Sequence, residues 1–293
     1  MDTTFSPSHT LKSLSNSGFG AELRALGAVI KRDWLHFVRY PTWMISLVIW
    51  PIIFPATYVL SARALAGPDG SGLTRFLQIA GTDNFLGYII IGTTAWMWFN
   101  TTLWNVGFAL RSEQRHGTLE ASWLTPTWRF SLLLGTGPSQ FLTMLIFMLS
   151  TFVEYSLFFG LRFHGSLVLF ALVLLAAIPS VYGVGFVFAS LVMAVREANA
   201  FVFLVRGIVM IFCGITYPLS VMPLWMQNVA AWLPPTVIIR AAREAALNGA
   251  DPTRLFPDIA LLLAMGAIWL LAGYVLFNYV DRRARRLGTL NQF

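Results

Sequence analysis

The chain has 293 residues, of which 57% are hydrophobic and only 11% charged, with a mean hydropathy of +0.68. Soluble globular domains hold roughly 45–50% apolar residues; here the excess sits in long uncharged runs, which excludes a soluble enzyme and predicts an integral membrane protein. The net charge of +7 does not call for nucleic acid, because basic residues flanking membrane spans account for it, and the single Cys213 excludes an intrachain disulfide.

Residues 1–18 are rich in Ser and Thr and read as a flexible N-terminus. Over 19–40, Leu23, Leu26, Ile30, Trp34, Phe37 and Val38 recur at three- and four-residue steps, while Glu22, Arg24, Lys31, Arg32, Asp33 and Arg39 take the other side. That period predicts an amphipathic helix in the headgroup region, basic outward and aromatic inward, which Pro41 breaks. The first 40 residues lack the apolar core and small-residue cleavage site of a secretory signal, so the first apolar run is expected to remain as an anchor. Six apolar runs can each supply a span of about 20 residues: about 42–62, 85–110, 131–160, 166–195, 199–217 and 257–280. The segment 218–256 is Pro-rich and half hydrophobic, and 281–293 is a basic tail. The expected fold class is an all-α integral membrane protein with six transmembrane helices and no soluble domain.

Lys and Arg counts in the loops set the orientation. With the N-terminus inside, thirteen basic residues fall on the cytoplasmic side, among them Lys31, Arg32, Arg39, Arg111, Arg115, Arg129, Arg196 and the tail arginines. Six fall outside: Arg63, Arg75, Arg162, Arg240, Arg243 and Arg254. Both termini are therefore expected to be cytoplasmic.

Residues 111–126, RSEQRHGTLEASWLTP, concentrate charge between two apolar runs. Gly117 permits a bend and Thr118 can cap a new turn. Leu119 and Trp123, four apart, can anchor one face in the membrane surface, and Pro126 ends the element. Glu113, Arg115 and Glu120 then point into the cytoplasm. A plain solvated connector is the alternative, although a connector has no need of Trp and Leu at helical spacing.

The pattern E-x-x-x-G-T-L-E followed by T-P, formed by Glu113, Gly117, Thr118, Leu119, Glu120, Thr125 and Pro126, resembles the cytoplasmic loop of ABC transporter permeases of the type-2 exporter family. The interfacial helix before the first span, the six spans and the proline-rich segment before the last one match in order, over about residues 20–280. Ser122-Trp123 departs from the pattern, which more often carries aliphatic residues there. The resemblance implies a single permease domain over 19–280 in the plasma (bacterial inner) membrane, working with a second permease chain, identical or paralogous, and two ABC ATPase subunits. It implies that 111–126 is the coupling helix seated in an ATPase cleft, that Arg196-Glu197 is a second, smaller contact, and that ATP and Mg bind the ATPase. No G-x-x-x-x-G-K-[ST] phosphate loop occurs in this chain; Gly135 and Gly137 come nearest but run into Pro138-Ser139. No cofactor is expected on this chain itself.

Charge within a span is costly and needs a partner or a role. Arg206 lies about 10 Å past Asn199 at 1.5 Å per residue; it either snorkels to the interface or joins a stripe of Asn199, Phe203, Arg206, Met210 and Cys213. Such a stripe suits a cavity between subunits that accepts an amphipathic substrate, with an anionic group as one option. On the second span Thr93, Met97, Asn100 (or Thr101) and Trp104 share a face with Trp96 at its margin. Either they pack helices together, or they form a substrate path with the fifth span, which the resemblance also implies. Glu154 is expected to find an ion-pair partner in Arg162, Arg240 or Arg243. The Pro and Gly density over 214–235 predicts broken or re-entrant helices, with Tyr217, Pro218, Pro223 and Trp225 as an outer gate.

An intramembrane metalloenzyme is disfavoured, since His9, His36, His116 and His164 do not cluster and no H-E-x-x-H occurs. An ion-coupled secondary transporter is the rival, with Glu154 and Arg206 as coupling groups, but it would show more spans or an inverted repeat of broken helices. A structural membrane subunit is the third reading. An ATP-driven export permease with hydrophobic or amphipathic cargo accommodates most of the pattern.

Overall fold

The computed structural model describes residues 19–67, 71–82, 84–119, 121, 124, 128–195, 198–249 and 251–287. Among them all regular structure is helical. Glu120, Trp123, Arg196 and Glu197, singled out above, lie outside the described residues, as do Ser122, Thr125 and Pro126.

Helix α1 (Phe19–Arg39) stops where Pro41 forces Tyr40 out of helical geometry, at φ −113 and ψ 83. Helix α2 (Pro41–Leu65) then starts on that proline, whose missing N–H costs nothing at a first helical position. Met44, Ile45, Val48, Ile49, Trp50 and Ile53 of α2 are exposed. An apolar face open to the surroundings is what hydrocarbon, rather than water, tolerates. Among the described residues four helices are long and apolar enough to cross a membrane: Met44–Leu65 of α2, Ser131–Phe159 (α6), Leu167–Met193 of α7 (Leu167–Ala194) and Pro252–Ala284 of α11 (Pro252–Leu287).

The remaining runs depart from the expected spans for identifiable reasons. A short helix α3 (Ser71–Ala80) precedes the second run, which forms α4 (Phe85–Asn105) and, after a break at 106–108, α5 (Ala109–Arg115). At 21 residues α4 measures about 31 Å, but Thr, Asn, Gly and Trp lower its apolarity. The bundle explains this composition, because most of α4, from Ile89 to Thr94 and again at Trp96 and Trp98 to Asn100, is buried against neighbouring helices rather than lipid. The fifth run is shorter than expected. Helix α8 (Ala198–Phe212) has 15 residues, about 22 Å, and the chain breaks at Gly214, whose φ of +61 suits a residue without a Cβ. A 3-10 turn (Leu219–Val221), α9 (Leu224–Ala230) and α10 (Pro234–Ala246) follow.

The largest helix–helix interface joins α7 and α11. In lipid, such interfaces depend on close packing at small residues. A Cβ on Gly183 would lie 2.7 Å from the Leu270 amide N, one on Gly266 2.6 Å from Pro179 Cβ, and one on Gly273 2.9 Å from Phe186 Cβ. Elsewhere α1 packs on α6 at Gly135, where a Cβ would meet Val29 at 2.6 Å. The glycine nearest to a phosphate-loop pattern is therefore a packing contact.

Glu154 corrects an expectation. Its side chain is 8% exposed and accepts a 2.6 Å hydrogen bond from Ser150 one turn earlier. Arg240 pairs instead with Asp258, and Arg243 donates only to backbone carbonyls. Glu154 lies on α6 whereas both arginines lie on α10, which packs on α4, α7 and α11. A serine at i−4 is the nearer partner.

At one end of the bundle three helix ends are tied together. Asn84 Oδ1 accepts the Gly87 amide and so caps α4, while its Nδ2 donates to the Arg162 carbonyl at 2.6 Å. The Gly165 and Ser166 amides donate to the Ala246 and Ala245 carbonyls, both at 3.0 Å, closing the C-terminus of α10. Ser166 in turn caps α7 through Leu169.

Candidate functional site

At the opposite end lies the charged segment. Helix α5 closes with the Thr118 amide donating to the Glu113 carbonyl at 3.0 Å and the Gly117 amide to the Gln114 carbonyl at 3.1 Å. With Gly117 at φ +69, this is a Schellman C-terminus, which explains the glycine at that position. The Thr118 hydroxyl points back to Glu113, donating to its carbonyl and to its carboxylate. Thr118 therefore helps to close the preceding helix, and Leu119, the next residue, is again helical.

Glu113 does not extend into solvent as the sequence suggested. Arg32 of α1 donates to Glu113 Oε1 at 2.7 Å, and the Glu113 side chain is only 18% exposed. The carboxylate is thus engaged within its own chain. Burial pushes the neighbouring Asp33 carboxyl above its ordinary range, and the Arg32 guanidinium opposes that shift. Beyond the segment, the Trp128 amide donates to both Glu22 oxygens, at 2.9 and 3.1 Å. Glu22 and Arg32 are ten residues apart, about 15 Å along α1, so one rigid helix holds both flanks of the segment. Arg115 is exposed and Leu119 is buried at 1% exposure.

The far flank is anchored by aromatic residues that sequence reasoning missed. Phe130 sits among Phe186 of α7 and Tyr274 and Phe277 of α11, with centroids 5.2 to 5.5 Å apart, and Trp128 adds contacts to Phe130 and Tyr274. Arg129 pairs with Asp281 at 3.3 Å. The aromatic residues at 128 and 130 were the available signal.

In mid-bundle the stripes of α4 and α8 meet. The Arg206 guanidinium carbon stands 5.7 Å from the Trp96 and Trp104 ring centroids and 5.3 Å from that of Phe203. Three ring faces around one cation give it electrostatic support, and among the described residues no carboxylate pairs with it. Trp104 also stacks on Phe108 at 5.1 Å and meets Phe203 edge-on at 5.5 Å, while Trp96 stacks on Phe54 at 5.0 Å. One turn further along α8, Met210 helps line a cavity of about 170 Å³ with Phe54, Tyr58, Trp96, Ile211 and Tyr217. Trp96, Trp104, Phe203, Arg206 and Met210 are thus brought together, with Tyr217 at the cavity's edge. Met97 and Asn100 lie on α4 without a described contact to Arg206, Asn100 being buried at 9% exposure; Asn199 is exposed at the start of α8.

The residues expected at a gate sit where α8 gives way to α9. Tyr217 donates to the Ile211 carbonyl, Pro218 opens the 3-10 turn and Pro223 opens α9. Trp225 meets Phe212 at 5.9 Å and is otherwise 61% exposed.

Arg243 was not foreseen in its actual role. From α10 its Nε and Nη2 donate to the Tyr88 carbonyl at 3.2 and 3.1 Å, Nη1 to Gly214 at 3.0 Å and Nη2 to Ile215 at 2.7 Å. The guanidinium also lies 3.4 Å over the Tyr88 ring. It staples the break after α8 to α4. Gly92 makes room for it: a Cβ there would fall 2.0 Å from the Ile215 carbonyl oxygen and 2.5 Å from Arg243 Nη2. The signal available in sequence was a glycine inside the apolar run IIIGTT together with an arginine inside the alanine-rich stretch AAREAA.

Among the described residues no group of three or more His, Cys, Asp or Glu is placed to hold a metal. Residues 71–275 match the family described as ABC-2 family transporter protein. No curated protein matches the chain.

Proposed function

Since this chain belongs to the ABC-2 transporter family, a family of membrane-spanning transport components that work with an ABC ATPase, we propose that it is the transmembrane half of an ATP-driven exporter for a hydrophobic or amphipathic cargo. Two permease chains, identical or paralogous, form the path, and two separate ATPase subunits bind ATP and Mg. In this reading α2, α4, α6, α7, α8 with its broken extension, and α11 make the six crossings, both termini face the cytoplasm of a plasma membrane, and 111–126 is the coupling element.

The geometry supports a two-state mechanism. ATPase closure pushes the segment between Glu113 and Trp128. Because Glu22 and Arg32 hold both flanks, α1 moves with it and carries α6, on which it packs. The Phe130 cluster passes the same displacement to α7 and α11, giving a rigid-body shift between two packings. The cargo reading rests on one observation above others: Arg206 stands among Trp96, Trp104 and Phe203 beside an aromatic cavity. Aromatic faces accept an apolar body, and a cation without a carboxylate partner can receive a polar or anionic head. Arg196 and Glu197 complete the ATPase contact, and Tyr217, Pro218, Pro223 and Trp225 form the outer gate.

The test is reconstitution with the cognate ATPase in vesicles. Glu120→Arg, or Glu113→Ala with Glu120→Ala, is expected to uncouple ATP hydrolysis from export while insertion is retained. Unchanged cargo-stimulated hydrolysis and transport in those variants would remove the coupling role. Transport that persists without ATP on an ion gradient would replace this reading with a secondary transporter.

A further inference from the structure

A second cavity lies away from the Arg206 site. It measures about 1170 Å³ and opens at the end of the bundle where α4, α7 and α10 are tied together. Its lining carries three guanidiniums, Arg63 from the last turn of α2, Arg162 from the α6–α7 connection and Arg254 from the first turn of α11, and two carboxylates, Glu244 and Asp251. Asp83, between two lining residues, lies outside the described residues. Among the described residues none of these five groups is in an ion pair; the nearby ion pair joins Arg240 to Asp258 instead. Leu73, Leu77, Phe85 and Leu86 supply an apolar wall.

The connection that carries Arg162 is held in place. Asn84 Nδ2 donates to the Arg162 carbonyl, and the Gly165 and Ser166 amides fasten the following residues to the end of α10. Gly165 is needed for that approach, since a Cβ there would lie 2.0 Å from the Ala245 carbonyl oxygen. On the connection's side these contacts use backbone atoms, and among the described residues the Arg162 guanidinium is in no ion pair.

Opposite charges that line one cavity without pairing with each other suit a ligand that carries both signs. Guanidiniums bind phosphate through charge-assisted, often bidentate hydrogen bonds, and carboxylates receive an ammonium. We propose that this cavity binds the head group of a zwitterionic phospholipid of the phosphoethanolamine kind, with the phosphate on Arg63, Arg162 and Arg254 and the ammonium on Glu244 and Asp251. The acyl chains run along Leu73 and Leu77 of α3. On the orientation proposed above, the cavity faces the outer leaflet. Binding is measured on the chain alone, so its failure leaves the transport reading untouched.

The experiment is calorimetric titration of the purified full-length chain in maltoside detergent. The probes are dihexanoylphosphatidylethanolamine, dihexanoylphosphatidylglycerol and inorganic phosphate. The ethanolamine lipid is expected to bind tightest and to weaken as salt rises. Arg162→Gln, which keeps the carbonyl that Asn84 holds, should weaken both lipids about ten-fold, the effect of removing one charge-assisted hydrogen bond. Glu244→Gln should weaken the ethanolamine lipid alone, bringing it to the level of the glycerol lipid. If Arg162→Gln does not fold, Arg63→Gln gives the same readout from the end of α2. Equal affinity for the two lipids in the unaltered chain, or lipid binding indifferent to the arginine variant, would overturn the proposal. Inorganic phosphate binding as tightly as either lipid would assign the site to a free anion and likewise overturn it.

Discussion

One methyl group at Gly92 is enough to test whether the break after α8 is stapled to α4. The Cβ of Gly92→Ala would sit 2.0 Å from the Ile215 carbonyl oxygen, where ordinary contact begins at 3.4 Å, so that carbonyl must retreat by 3.4 − 2.0 = 1.4 Å. The 2.7 Å hydrogen bond from Arg243 to the same oxygen cannot survive that displacement unless the guanidinium follows, and the guanidinium is itself 2.5 Å from the new methyl group. Overpacking in a tight site costs about 1–3 kcal/mol, and losing a hydrogen bond from a charged donor about 1.5–3 kcal/mol. Together they come to about 2.5–6 kcal/mol, which at roughly 2 °C per kcal/mol for a chain of this size lowers the unfolding midpoint by roughly 5–12 °C. Tryptophan fluorescence of the detergent-solubilised chain would follow the transition. Arg243→Gln should lower the midpoint on its own, and the double variant should fall short of the sum, because both changes act on the same hydrogen bond. A midpoint within about 2 °C of the parent for Gly92→Ala, or strict additivity, would refute the staple.

The remaining predictions concern transport. Arg32→Glu should impair coupling of hydrolysis to export, and Arg32→Glu combined with Glu113→Arg should restore a large part of it; a double variant no better than either single one, in the reconstituted assay, would show that the 2.7 Å pair does not carry the load. Arg206→Ala should raise the cargo concentration needed for half-maximal ATPase stimulation by roughly ten-fold, the scale of a single cation–π or charge interaction in a desolvated site, while Arg206→Lys retains part of the response. A loss of dimer on size-exclusion chromatography with unchanged cargo response would assign Arg206 to packing. Glu154→Gln keeps the Ser150 hydrogen bond and should leave ATP-driven transport within about two-fold at every imposed proton gradient, the margin of a neutral partner exchange; a collapse specific to the gradient would reopen ion coupling.

Much of the helical plan was legible because its signals are local. The break at Tyr40 follows from Pro41, the break near Gly214 from Gly and Pro density, and the long apolar helices from uninterrupted hydrophobic runs. The meeting of Arg206 with Trp96 and Trp104 was legible in part, since helical spacing put each stripe on one face, although only the fold sets the two faces together. What depends on partners distant in sequence was not legible. Glu113 reads as a solvent-facing charge until α1 brings Arg32 against it. Arg243 reads as a loop arginine until Tyr88, Gly214 and Ile215 offer it three carbonyls. Glu154 invited a distant arginine when Ser150, four residues away, already served it. For Glu113 and Arg243 the partner is set by which elements the fold brings together, and sequence order gives distance along the chain only.

Helix α11 runs unbroken for 36 residues, about 54 Å, nearly twice the thickness of the hydrocarbon layer. Arg254, in its first turn, borders the large cavity, and Asp281, near its end, grips Arg129 beside the charged segment. A helix resists compression along its axis, so the two extremities behave as the ends of a single connecting rod. If the cavity is filled and the segment is driven as proposed, both loads fall on this one member, from its two ends.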